Sequence, residues 1–267
     1  MENTYRNGVL LNRARLLKTG QTTQYSSELD DGYYEKGIAK SYLVLTTGQF
    51  AGTTTIDLTH LISDTGAFTA ANQTYTDAGK CGVFKAAGGE TIVITGSALN
   101  NGTFTTVSAT ANTVVVTAGF VNEADAPMTT FKKRELHSNA CVIDNNTGLM
   151  WSQTAAGKMG VAGDGKMPWT GQTYDIFAYA AAANVAGLGG YSDWRIENIF
   201  ELFGLFSFET GVPNATAFPV WPSSANAVWS STTFFTDTAK AMIMYAEPSM
   251  REATKTLTYF CILIRGG

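Results

Sequence analysis

Charge is scarce in this sequence. Of 267 residues, 15% are Asp, Glu, Lys or Arg, and the net charge is −4. Lys132-Lys133-Arg134 is the one basic run. Nothing here gives the electrostatic footprint of a nucleic-acid binder, so no nucleic-acid partner is expected. Cysteine and histidine are scarcer still. Cys81, Cys141 and Cys261 are too few and too scattered for a disulfide scaffold, and no pair has metal-ligand spacing. His60 and His137 stand in no metal or triad pattern and read as structural. No metal, no cofactor and no catalytic constellation is expected, and the chain does not read as an enzyme. Long apolar runs are also missing. Ile176 to Leu188 is interrupted by Asn184 and Gly187 and is too short to span a bilayer, so no membrane insertion is expected. The stretch after Met1 lacks the apolar run of a secretion signal, and Met1 reads as a natural start.

What is present is enough apolar residue, 45%, to build a real core in one large domain or two modest ones. The chain is organised around Asn184 to Phe206. A helix over about Tyr174 to Ala186, with Thr173 as its cap and Ile176, Phe177, Ala180, Ala183 and Val185 as its packed side, runs into Gly187, Gly189 and Gly190. An aromatic turn follows, and a second helix starts at Asn198. Glu201 lies three residues on, which is the capping-box spacing. Ile199, Leu202, Phe203 and Phe206 give this helix an apolar stripe. Asp193 is expected to order the turn, and Arg195 is placed to grip a carboxylate in a bidentate pair.

Several of these pieces form a pattern. Gly190-Tyr191-Ser192-Asp193-Trp194-Arg195-Ile196 leads into Asn198-Ile199-x-Glu201-Leu202. Asp144-Asn145-Asn146-Thr147-Gly148-Leu149-Met150-Trp151 and Val228-Trp229-Ser230-Ser231-Thr232 stand on either side, and Phe260 to Arg265 closes the chain. Together with Leu17 to Thr23, Asp30-Asp31-Gly32 and Lys36-Gly37, they resemble the Lcl C-terminal domain family over roughly residues 15–45 and 130–267. Glu197 departs from the pattern, which usually has proline there. The resemblance implies an α+β, C-type-lectin-like domain with two helices packed on a small antiparallel sheet. It makes Asp144, Gly148, Trp151, Asp193, Trp194, Arg195, Asn198, Glu201, Trp229 and Ser230 structural motif residues, with the three tryptophans in the core. It does not bring calcium ligands with it. The sequence has no Glu-Pro-Asn, Gln-Pro-Asp or Trp-Asn-Asp triplet, and Glu247-Pro248-Ser249 is the nearest approach.

Residues 51–120 change character. Thr, Ala and Gly dominate, and Cys81–Phe84, Thr91–Ile94, Gly102–Val107 and Thr113–Thr117 read as strands. Asn100-Asn101-Gly102 supplies a turn. The run from Ile94 to Ser108 resembles small β modules of phage tail and head-surface proteins. The expected organisation is an arm at 1–14, a main domain at 15–50 and 121–267, and a small all-β insert at 51–120. The main domain is expected to fold without the insert.

Gly160-x-x-Gly163-x-Gly165-Lys166 lacks the spacing of a phosphate loop. Ser207 to Ala227 is a long proline-bearing segment, and its Phe218 and Trp221 are the candidate ligand or interface residues. The functional expectation is a bacteriophage virion structural protein of the tail or capsid surface, made in the host cytoplasm. It would contact other virion proteins, form a homo-oligomer, with a trimer favoured, and attach to a host-surface glycan or protein. The alternative is a non-viral or retroelement-diversified adhesin, extracellular or on a cell surface.

Overall fold

The computed structural model describes residues 4–6, 9–11, 39–124, 128–153, 164–219, 221, 226–245 and 249–266. β1 (Thr4–Arg6) and β2 (Val9–Leu11) pair as an antiparallel hairpin, and the rest of the expected arm lies outside the described residues. After β3 (Tyr42–Leu45), seven strands form one antiparallel sheet: β4 (Thr53–Ser63), β5 (Ala67–Thr69), β6 (Thr74–Thr76), β7 (Thr91–Thr95), β8 (Gly102–Ala109), β9 (Thr113–Val116) and β10 (Thr129–Ser138). Their spatial order is β4-β10-β7-β8-β9-β6-β5. In β7, Ile92 and Ile94 are buried while their neighbours are not, the period-two signature of a strand with one covered face. That face carries an aromatic core in which Tyr75 lies 4.5 Å from Phe131 and 4.7 Å from Phe68. Cys81–Val83 is a 3-10 turn rather than the expected strand. Gly88 is obligatory at φ +64, because a Cβ there would sit 2.3 Å from the Val107 carbonyl.

The second half is organised by a five-stranded antiparallel sheet. It contains β3, β11 (Cys141–Asp144), β12 (Met150–Ser152), β14 (Arg195–Ile196) and β19 (Leu263–Arg265), in the order β14-β19-β12-β11-β3. Adjacent residues of these strands enter opposite cores. Cys141, Met150 and Leu263 pack with helix α1 (Ile176–Ala186), and Val142, Trp151 and Ile264 pack with helix α2 (Ile199–Leu205). Each helix therefore has its own core. β13 (Met167–Pro168) pairs with β18 (Thr258–Tyr259), and β15 (Ala227–Thr233), β16 (Lys240–Tyr245) and β17 (Met250–Thr254) form a further antiparallel sheet. The latter also serves both cores, Trp229 and Ile243 on the α1 side and Val228 and Met244 on the α2 side.

These observations correct the expected α+β, C-type-lectin-like architecture. Strand accounts for 42% of the described residues and helix for 13%, with two α-helices among them. The fold is β-rich and mostly antiparallel. The seven-stranded sheet and the separate β15–β17 sheet carry most of the strand. Helix α1 also differs in detail. Its cap is Asp175, whose side chain accepts from Ala178 N, and not Thr173. Ile176, Tyr179, Ala180 and Ala183 form the buried side at i, i+3, i+4 and i+7, whereas Val185 is 91% exposed. It ends at Gly187, which takes the left-handed conformation of a helix stop.

The boundary of the insert falls inside this packing. β4 contacts α1, and its Ile56 and Leu58 belong to the α1 core, while Leu61 belongs to the aromatic core of the seven-stranded sheet. An extra residue at His60 shifts the register against β10. Burial accordingly slips from Ile56, Leu58 and His60 to Leu61 and Ser63. One strand thus closes two cores.

Candidate functional site

A surface concavity lies around the loop between β13 and α1. Trp169 pins that loop. Its indole Nε1 donates to Ser230 O at 2.8 Å, and its backbone N–H donates to Lys255 O at 2.9 Å. Phe177 meets the ring edge-on at 4.7 Å, and Lys255 Nζ stands 3.8 Å over it. Lys255 Nζ also donates to Thr233 Oγ1 at 2.9 Å. The loop then turns through Gly171 at φ +90 and ends in the Asp175 cap. Two cavities flank Gly171-Gln172. One, of about 470 Å³, has His60, Ile62, Thr173 and Asp175 in its wall. The other, of about 170 Å³, is walled by Thr170, Tyr174, Thr256 and Thr258.

The groove wall is aromatic and its rim is polar. The Tyr174 ring stacks on His60 with centroids 4.9 Å apart and planes 8° apart. His60 Nδ1 lies 2.9 Å from Leu58 O, and burial raises the Tyr174 hydroxyl pKa above its ordinary value. Gln172, Thr256 and Thr258 are exposed and bring neutral donors and acceptors to the surface. Asp175 is occupied by the helix cap. This arrangement can hold an uncharged, hydroxyl-bearing ligand against a fixed wall. Among the described residues, no three His, Cys, Asp or Glu side chains are grouped to hold a metal ion. From sequence, His60 reads as structural and Thr173 as a helix cap, and none of the groove residues reads as a ligand contact. The one local cue was Trp169-Thr170-Gly171-Gln172 just ahead of a helix, and nothing in it points to β4 as the opposite wall.

The motif residues form the frame. Asp144 accepts from Asn146 N and from Thr147 Oγ1, each at 2.9 Å, and Gly148 completes the turn at φ +77. Trp194 is buried, donates from Nε1 to Leu188 O at 2.9 Å, and has its backbone held by Asn184 on both sides. Trp229 donates to Met167 O at 3.0 Å, and Ser230 Oγ donates to Met242 O at 2.9 Å. Trp151 is buried in the α2 core. Asp193 forms a two-pronged pair with Arg265, at 2.7 and 3.1 Å, which holds its carboxyl below the usual range. Asn198 and Glu201 make a reciprocal capping box. Glu201 also receives both prongs of Arg195, at 2.7 and 2.9 Å, and this bond lowers its pKa.

The expected ligand residues are elsewhere. Phe218 is 1% exposed and belongs to the α2 core, where Tyr42 meets it edge-on at 5.9 Å. It is core because the turn at Asn214 folds its segment inward: Phe218 N donates to Asn214 O, and the Asn214 side chain accepts from Thr216 N and Ala217 N. Trp221 is half-buried against Phe206 and Phe218, at 5.5 and 5.9 Å. Neither lines the groove. Most of Gly157 to Gly165 lies outside the described residues.

The fold and frame define a β-rich protein with a polar groove on its surface. Residues 140–265 match the family model of the Lcl C-terminal domain. The matched segment contains both helices, all the motif residues and most of the groove, and it excludes the seven-stranded sheet. No curated protein matches the chain.

Proposed function

We propose that this chain is a structural protein on the surface of a bacteriophage particle, with residues 140–265 acting as an attachment module. The groove beside Gly171-Gln172 carries the reading. It joins exposed neutral polar groups to a wall held by the Tyr174–His60 stack and the Trp169 contacts, and groups already held in place have less ordering to lose on binding. A host-surface glycan or the polar face of a host-surface protein is the ligand class. The sequence likeness of Ile94–Ser108 to small phage β modules supports the particle as the setting. Val185, Phe200 and Phe235, respectively 91%, 76% and 88% exposed, are apolar surface that other copies or other particle proteins would cover. A trimer would present several grooves at once.

The test is binding of the purified chain to bacterial envelope fractions and to an array of envelope glycans. The double variant Gln172→Ala, Thr258→Ala removes rim groups without touching the cores. It should lose binding while its melting temperature stays unchanged. Equal binding by wild type and variant, or no binding to any envelope fraction, would sink the proposal.

A further inference from the structure

Five acidic side chains among the described residues are buried, and four of them are answered by partners. Asp77 accepts from Ser63 and Tyr75, Glu90 pairs with Lys133 at 2.9 Å, Glu123 accepts from Ala98 N and Asn100, and Asp144 has its turn. Glu197 is the fifth. It is fully buried, and neither carboxyl oxygen has a hydrogen-bond partner. It stands where β14 hands over to the cap of α2, a seam otherwise tied to β15 by Ser231 N donating to Glu197 O at 2.7 Å and Ile199 N donating to Thr232 Oγ1 at 3.0 Å. An ionised carboxylate left there without a partner would be strongly destabilising.

We propose that Glu197 sits in the folded protein as an un-ionised carboxylic acid and makes the seam between β14, α2 and β15 an alkaline-sensitive release point. The groups around it point the same way. On α2, the Glu201 carboxylate repels a second negative charge; on β14, Arg195 is already committed to Glu201 by two hydrogen bonds. From the segment between β18 and β19 comes the Cys261 thiol, itself buried and pushed upward by burial. β15 has no ionisable side chain. Burial pushes Glu197 well above the usual carboxylate range; Glu201 adds to this, and the Glu197 backbone N–H and Arg195 oppose it. A raised acid favours the fold fully below the unfolded-state value. That contribution is lost as pH rises towards the folded-state value.

Two measurements decide it. Infrared spectra of the wild-type chain at neutral pH should show the C=O stretch of an un-ionised carboxylic acid, absent in Glu197→Gln. Above the ordinary glutamate range, the unfolding constant of the wild type relative to Glu197→Gln should rise about tenfold per pH unit until Glu197 ionises. Glu197→Leu should give the same flattened profile. If a variant fails to fold, the infrared reading on the wild type still decides. Absence of that band, or parallel pH profiles for all three chains, would overturn the proposal.

Discussion

Excising residues 51–120 is the sharpest perturbation of the packing. The excision removes β4, and with it Ile56 and Leu58 from the α1 core. Both are at most 2% exposed. Truncating a single buried Leu or Ile to Ala costs about 2–5 kcal/mol. Losing two whole residues, with the strand that carries them, therefore reaches the whole stability of an ordinary domain, about 5–15 kcal/mol. The side of α1 that contacts β4 would also be left facing water. The expected result is a chain without cooperative unfolding by circular dichroism. A second excision is the control. Ser63 and Thr129 are paired across β4 and β10, so residues 64–128 can be replaced by a short turn while both long strands stay. That chain should keep a cooperative transition. The point variants Ile56→Ala and Leu58→Ala should each lower the denaturant midpoint of the whole protein. A 51–120 excision that unfolds at the wild-type midpoint, or neutrality of both point variants, would refute a shared core.

Trp194→Ala should cost about 3–5 kcal/mol, because a buried ring and its hydrogen bond to Leu188 O are lost. The half-buried Trp221→Ala should cost less than half of that, and equal midpoint shifts in urea would contradict the difference. Glu201→Ala removes one half of the capping box and the partner of Arg195, a partly exposed ion pair of small worth, for about 1–2 kcal/mol in total. Because Arg195 lowers the Glu201 pKa, that contribution is present above the ordinary glutamate range and fades as pH falls through the lowered value. The difference between wild type and variant, followed by denaturant titration from neutral to acid pH, should shrink; a constant difference would refute it.

The legible parts of the fold were those in which local chemistry decides. The Asn198–Glu201 capping box is a four-residue device, and its spacing survives any tertiary context. β7 and β9 could be read from apolar runs and alternation. β4 escaped because Thr53-Thr54-Thr55 and the extra residue at His60 blur its period. Once it is missed, the insert looks detachable and the helix balance looks higher than it is. Phe218 was misplaced for a related reason: a proline-bearing segment reads as surface loop, and the Asn214 turn that folds it inward is set by three backbone hydrogen bonds to one side chain and carbonyl. The groove was invisible because its walls come from β4, the loop before α1 and the β17–β18 turn, which are far apart in the chain. Glu197 was noticed as a departure from proline, yet its burial depends on β15 and the segment carrying Cys261, which no local pattern reports.

The proposal that this is a particle-surface attachment protein meets its most direct test in the composition of purified virions. Quantitative mass spectrometry of intact phage particles should find the chain at a fixed copy number, in multiples of three, after extensive washing. Imaging should place the Gly171-Gln172 groove outward. Particles that lack the chain, or carry it at variable trace levels, would contradict the account.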